Sequence, residues 1–240
     1  MSLLALHNVM PIFRRELRSY FNSPVAYVVI IVFLSIIGWF FTSNMFLMNI
    51  ASLRVMFELV PLVFLFFVPA VTMRLLAEEK KSGTLELLTT KPVRDVEIVL
   101  GKFLAAWALL CAALAPTLVY VLVIGSLGSL DPGPVITGYV GLLLMGGVYI
   151  ALGILASSLT ENQIVAFIIS FLMVLALFML DKVLMYVPDA VAGTLEYLAI
   201  DHHFANIARG VIDSRNIIYF LSLLGFSLYL ATVSLERRKW

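Results

Sequence analysis

"EEKKSGTLELLTTKPV", Glu78 to Val93, is the most polar stretch of a 240-residue chain that is 62% hydrophobic and only 13% charged. A soluble domain is about half apolar and one quarter charged. Here the mean hydropathy is +1.05, and the charges are bunched, with long uncharged intervals between the bunches. That is the pattern of a polytopic helical membrane protein. The polar stretch is then one of the points at which the chain leaves the bilayer.

Crossing a hydrocarbon core about 30 Å thick takes about 20 apolar residues in a helix. Working outward from Glu78, six intervals qualify: 25–42, 59–75, 99–124, 135–156, 163–181 and 217–235. The predicted fold class is all-α, with six transmembrane helices. The second span carries Pro61 and Pro69 and the third carries Pro116, and each proline bends its helix unless neighbours satisfy the freed carbonyl. "GSLGSLDPGP" (125–134) is a turn, and "SSLTEN" (157–162) ends the fourth span. In that span Gly138, Gly141, Gly146, Gly147 and Gly153 allow close helix approach. Cys111, the one cysteine, sits in an apolar run and reads as a packing residue. No signal-peptide pattern and no internal repeat is evident.

The basic residues set the orientation. With a cytoplasmic N-terminus, the inside holds Arg14, Arg15, Arg18, Arg74, Lys80, Lys81, Lys91, Arg94, Lys102, Arg237, Arg238 and Lys239. The outside holds Arg54, Lys182, Arg209 and Arg215. Twelve against four places both termini and the opening stretch in the cytoplasm.

Two segments are neither span nor turn. In 10–23, at 100° per residue, Ile12, Phe13, Leu17, Tyr20 and Phe21 share one face while Arg14, Arg15, Arg18 and Ser19 share the other. Glu16 is the exception, lying on the apolar side. The segment reads as an amphipathic interfacial helix. The segment 182–216 carries too many charges to span, yet "VAGTLEYLAI" and "HHFANIARGVI" keep helical spacing, so two short helices at the outer leaflet are expected.

Missing motifs narrow the function. There is no G-x-x-x-x-G-K-[ST], no H-E-x-x-H and no G-x-S-x-G. The chain therefore carries no catalytic residues, and an energy source must come from a partner. Nothing marks a nucleic-acid partner. His202–His203 reads as two polar residues near the outer headgroups rather than a metal site, because adjacent side chains diverge and no Cys lies nearby. Apart from the boundary residues Glu58, Arg74, Glu161 and Asp181, no ionisable residue lies deep in a span. Ion-coupled carriers place such groups there. A pathway for lipidic or bulky cargo, or a subunit that transmits force, is favoured. No polar pore-lining periodicity supports a channel.

In the opening stretch Ser82-Gly83-Thr84 breaks one helix and starts another. Thr84 suits the N-cap, Glu86 complements the positive helix end, and Pro92 disfavours helix at Lys91. A two-turn helix over 84–90 results, with Leu85, Leu87 and Leu88 apolar. So short a helix is unstable alone in water. Two readings stand: a topological anchor with leucines in the headgroups, or an element docked on another protein.

"MRLLAEEKKSGTLELLTTKPVRDVEIVLGKF" (Met73–Phe103) resembles the signature loop of the ABC type-2 permease family, the membrane subunits of ATP-driven exporters. The match comprises Glu78 and Glu79, Gly83-Thr84-Leu85-Glu86, Leu88, Pro92-Val93 and Glu97-Ile98-Val99-Leu100-Gly101-Lys102. "FRRELRSYFNSPVAYV", "FANIARGVIDSRNIIYFLSL" and "SLERRKW" look most like the gliding-motility-associated branch. Many relatives carry Ser or Thr after Pro-Val, where this chain has Arg94-Asp95, and Asp95 is expected to cap the third span.

The resemblance implies a six-span permease of a bacterial inner membrane that dimerises with itself or a second permease. Two cytoplasmic ABC ATPase subunits would bind ATP and Mg, and this chain would bind no cofactor. It makes 84–90 the coupling helix, with Glu78, Glu79, Gly83, Thr84, Leu85, Glu86, Leu87, Leu88, Thr89 and Pro92 as the ATPase-coupling residues. It makes 10–23, with Arg14, Arg15 and Arg18, a connecting helix, and 182–216 a re-entrant hairpin. Pro61 and Pro69 become either a hinge or fixed packing kinks. The implied function is export of cargo; the alternative is force or signal transmission to an extracytoplasmic or auxiliary subunit with no cargo moved.

Overall fold

The computed structural model describes residues 7–48, 52–84, 93–127, 130–183 and 189–237. Every regular element among them is helical: α1 (Val9–Asn22), α2 (Pro24–Met48), α3 (Arg54–Thr72), α4 (Arg74–Lys81), α5 (Asp95–Leu114), a 3-10 turn (Ala115–Thr117), α6 (Leu118–Leu127), α7 (Pro132–Leu159), α8 (Gln163–Val183), α9 (Asp189–Leu198), α10 (Ile200–Ala208) and α11 (Ser214–Glu236). Six stretches are long and apolar enough to cross a membrane: 24–47, 54–81, 95–127, 132–159, 163–183 and 214–236. They contain the six expected spans and overrun most of their ends. Polar residues do not stop a helix when they bond back to it. Asn44 Nδ2 donates to the Phe40 carbonyl at 2.9 Å, carrying α2 past Thr42. Arg54 pairs with Glu58 at 2.9 Å, one turn on, at the start of α3.

The bundle is built around α7, in which Met145 through Ser158 is continuously buried. A helix apolar on all sides belongs in a core. Small residues let its neighbours in. A Cβ at Gly138 would lie 2.5 Å from the Phe57 ring, at Gly146 2.3 Å from Leu110 Cδ2, and at Gly153 2.1 Å from Thr72 Oγ1. These contacts bring α3 and α5 against α7 at backbone-limited distance. By contrast α2 and α8 bury little. Val28, Ile31, Val32 and Trp39 on α2 and Ile164, Ile168 and Leu172 on α8 are exposed, and such apolar faces are covered by lipid or by another chain.

The prolines act differently from one another. Pro116 falls in the 3-10 turn between α5 and α6, where Thr117 Oγ1 donates to the Leu114 carbonyl at 2.6 Å and lies 2.9 Å from the Tyr139 hydroxyl. Pro61 and Pro69 are buried inside the single helix α3. The helical hydrogen-bond ladder is interrupted at Met73, between α3 and α4, although Met73 itself keeps helical dihedrals, φ −53° and ψ −34°. The Ser157 hydroxyl of α7 sits at that break. It accepts from the Leu76 and Ala77 N–H groups, each at 3.0 Å, and donates to the Met73 carbonyl at 3.0 Å. Insertion of a side chain into the backbone ladder is a recognised cause of a kink.

Candidate functional site

At 1.5 Å per residue α7 is about 42 Å long, so its two ends face different surroundings. Its C-terminal end meets α4, the helix that leads into the opening polar stretch. Lys80 Nζ donates to the Ser158 carbonyl there, and Ser234 of α11 donates to the same oxygen at 3.2 Å. The helix then stops at the glycine the sequence singles out. Gly83 adopts φ +68°, a backbone region glycine enters without penalty. Ser82 N–H donates to the Glu78 carbonyl at 3.0 Å and Gly83 N–H to the Lys80 carbonyl at 3.2 Å. Thr84 Oγ1 turns back toward α4, 2.8 Å from Ser82 Oγ. The coupling-helix residues Leu85, Glu86, Leu87, Leu88, Thr89 and Pro92 lie outside the described residues.

The chain resumes at Val93. Asp95, expected as the cap of the third span, is instead in the first helical turn of α5. The capping is done by Glu97, whose Oε2 accepts from the Arg94 N–H at 2.9 Å. Glu97 also reaches α1, accepting from Asn8 N–H and from Asn8 Nδ2, each at 3.1 Å.

Helix α1 docks through a stripe of every fourth residue: Asn8, Ile12, Glu16 and Tyr20. Ile12 packs on Gly101, where a Cβ would meet Ile12 Cγ2 at 2.7 Å. Tyr20 donates to the Val71 carbonyl at 3.0 Å, beside the α3–α4 break, and Arg74 lies 5.1 Å over its ring. Glu16, the misfit on the apolar face, is the third contact. Its Oε1 is 3.3 Å from Lys102 Nζ and 2.6 Å from Arg15. Lys102 also lies 2.9 Å from Glu79 Oε1, and Arg15 lies 2.9 Å from the same oxygen. Two cations and two carboxylates thus close a neutral quartet between α1, α4 and α5.

The predicted residues therefore separate. Glu79 and the partly exposed Arg15 join the quartet, whereas Glu78, Arg14 and Arg18 are exposed and stay out of it. Glu16 and Lys102 stood outside the expected coupling set. Glu16 was visible as an anomaly of helical phase, but its partner is 86 positions away.

Burial works against the Glu16 carboxylate, yet Lys102 and Arg15 outweigh it and hold its pKa below the usual value. A depressed carboxylate pKa stabilises the folded form above the unfolded value, and that contribution is lost as pH falls through the folded value. We expect α1 to stay docked above the ordinary carboxylate range and to loosen progressively as pH falls below it. A spin label on Arg14→Cys reports this as mobility against pH. Loosening already above the ordinary carboxylate range rules the pairing out.

The other end of α7 carries a cavity of about 1070 Å³ lined by Arg54, Phe57, Pro61, Lys182, Asp201 and Arg209 among others. The expected short helices of 182–216 are α9 and α10. Lys182 bridges to Asp201 at 3.3 Å; burial nonetheless pushes the Asp201 carboxyl up. His203, expected as a polar residue near the outer headgroups, is packed inside the protein. It is 2% exposed and stacks on Tyr219 at 4.0 Å. Its Nδ1 is 2.8 Å from Asn216 Oδ1 and its Nε2 is 3.0 Å from the Tyr197 carbonyl. It clamps α10 to α11. His202 does not diverge from it as expected of adjacent residues: the two rings meet edge-to-face, 5.6 Å between centroids, and His202 Nδ1 lies 3.1 Å from Glu196.

A family model described as ABC-2 family transporter protein matches residues 49–200. The chain belongs to that family. No curated protein matches it. The match to this ABC-2 transporter family runs from the residues before α3 to the start of α10. It takes in Glu79, Lys102, Ser157 and the whole polar stretch, and leaves α1, α11 and hence Arg15 and Glu16 outside. An ABC-2 membrane domain is the membrane component of a transporter, and the six apolar helices make this one multi-pass.

Proposed function

We propose that this chain is the permease subunit of an ATP-driven export complex in a bacterial inner membrane, with both termini and the loop 82–94 in the cytoplasm. The observation that carries the reading is the cross-bracing around that loop. The stem before it, α4, is tied to α7 by Ser157 and Lys80 and to α5 by Glu79–Lys102. A force applied at 84–90 is thereby delivered to the central helix instead of being absorbed by a slack connection. Two copies of a separate ABC ATPase, carrying ATP and Mg, are the partners, and the sparsely buried α2 and α8 leave room for a second permease. The cavity at the opposite end, rimmed by Arg54, Lys182 and Arg209, suits a polar extracytoplasmic partner. It supports the second reading, force transmission of the gliding-motility type without cargo.

Charge reversal at Glu86, or Leu88→Asp, is expected to abolish stimulation of the partner ATPase while membrane insertion is unchanged. If ATPase assembly and turnover survive both substitutions, 84–90 is not the coupling element.

A further inference from the structure

Lys102 is among the largest fully buried side chains of the protein, 1% exposed, although it carries a charge. Its two carboxylate partners come from separate parts of the chain. Glu79 lies on the stem entering the polar loop, and Glu16 lies on the N-terminal helix. Lys102 itself lies on the helix leaving the loop. The Lys102–Glu79 contact therefore staples the loop at its base, and the Lys102–Glu16 contact ties that base to α1.

Stability does not account for this arrangement. Ile12 on Gly101 and Tyr20 on Val71 also hold α1, and apolar residues of the same volume often give as much stability as a buried ion pair. The best-attested use of such a pair is to set register or to switch. The geometry offers a second seat for a switch. All the ion pairs converge on Glu79 Oε1 and Glu16 Oε1. Glu79 Oε2 is buried and has no hydrogen-bond partner among the described residues. A small shift of α4 can move Lys102 from one oxygen of Glu79 to the other without stranding a charge. Arg15, about half exposed on its side chain, is free to follow.

We propose that Lys102 is a positioning residue: the node through which displacement of the ATPase-docking loop is passed to the N-terminal helix. This rests on the permease reading above. The node predicts a series connection, loop to Glu79 to Lys102 to Glu16 to α1, so cutting either link has the same consequence.

The test uses the complex purified from its native membrane through a tag on this chain. Glu16→Gln, Glu79→Gln and Lys102→Met are each expected to retain the ATPase at wild-type stoichiometry and to lose at least tenfold of its stimulated turnover. Glu16→Gln with Glu79→Gln together is expected to be no worse than either alone. Spin labels on Arg14→Cys and Lys81→Cys should report an ATP-dependent distance change that disappears in all three variants. A structural role alone would lower thermal stability without removing that change. Should Lys102→Met fail to fold, the near-isosteric glutamine variants decide the matter. Turnover and distance change retained in the glutamine variants overturn the node alone. A wild-type chain that captures no ATPase overturns the functional reading beneath it.

Discussion

Replacing Gly153 by leucine is expected to prevent recovery of folded protein, and replacing it by alanine to destabilise the fold by about 1–3 kcal/mol, the usual cost of overpacking. A Cβ at position 153 would lie 2.1 Å from Thr72 Oγ1 and 2.7 Å from Thr72 Cβ. Thr72 cannot swing away. It is fully buried, its χ1 is stiff because it is β-branched, and its hydroxyl donates to the Val68 carbonyl at 2.9 Å. The strain would fall on the contact between α3 and α7, one residue from the break at Met73. Thermal unfolding of detergent-purified protein measures the effect. Thr72→Gly combined with Gly153→Ala should recover much of the loss, since it removes the atoms that clash. An alanine variant with the wild-type transition would mean the two helices do not approach this closely.

That glycine was legible before any coordinates, because five glycines in one apolar span can only serve close approach or flexibility, and apolar spans offer little use for the second. The six spans were legible for a similar reason: the bilayer dictates length and forbids charge. What the sequence could not convey is partnership across distance. Glu16 stood out on the apolar face of α1, yet nothing local points to Lys102. Ser157 read as the end of a span, since serine after an apolar run ordinarily marks an exit. Its actual place, inside the ladder of another helix, depends on how α3 crosses α7. Pro61 and Pro69 drew attention as bending residues because proline always removes a donor. Both lie inside the single helix α3, and the hydrogen-bond ladder is interrupted at Met73, where the Ser157 hydroxyl fills it.

The two polar ends of the bundle also differ in a way composition conceals. At the α10 end the charges lie along the rim of a cavity. At the α4 end they are drawn inward and neutralised in a quartet beside the loop. The first arrangement is open to a polar ligand or partner. The second keeps Lys102 from solvent and, on the node proposed above, passes displacement on, as buried charges strand themselves if they separate.

The Ser157→Ala substitution tests that transmission at its other anchor, and we expect a loss of about 2–4 kcal/mol. The hydroxyl serves three backbone groups at once: the N–H groups of Leu76 and Ala77 and the carbonyl of Met73, each at 3.0 Å. Ser157 is fully buried, so water cannot readily replace it. Each buried polar group left without its partner costs about 1–3 kcal/mol, and the loss stays below three such penalties because Ala77 N–H can turn to the Met73 carbonyl four residues back. Tyr20→Phe should cost less, about 1 kcal/mol, because its hydroxyl serves one carbonyl, that of Val71, at the same break. The two side chains, from α1 and α7, hold the same joint. Once Ser157 no longer holds it, α4 can shift and the Tyr20 bond is already compromised, so the double variant should lose less than the sum. Hydrogen exchange gives the local readout, with the amides of Leu76 and Ala77 exchanging faster while those in the middle of α7 do not. Unchanged exchange at both residues, together with a wild-type unfolding transition, would mean that α4 continues α3 without help from α7. The stem of the loop would then not be anchored to the central helix at all.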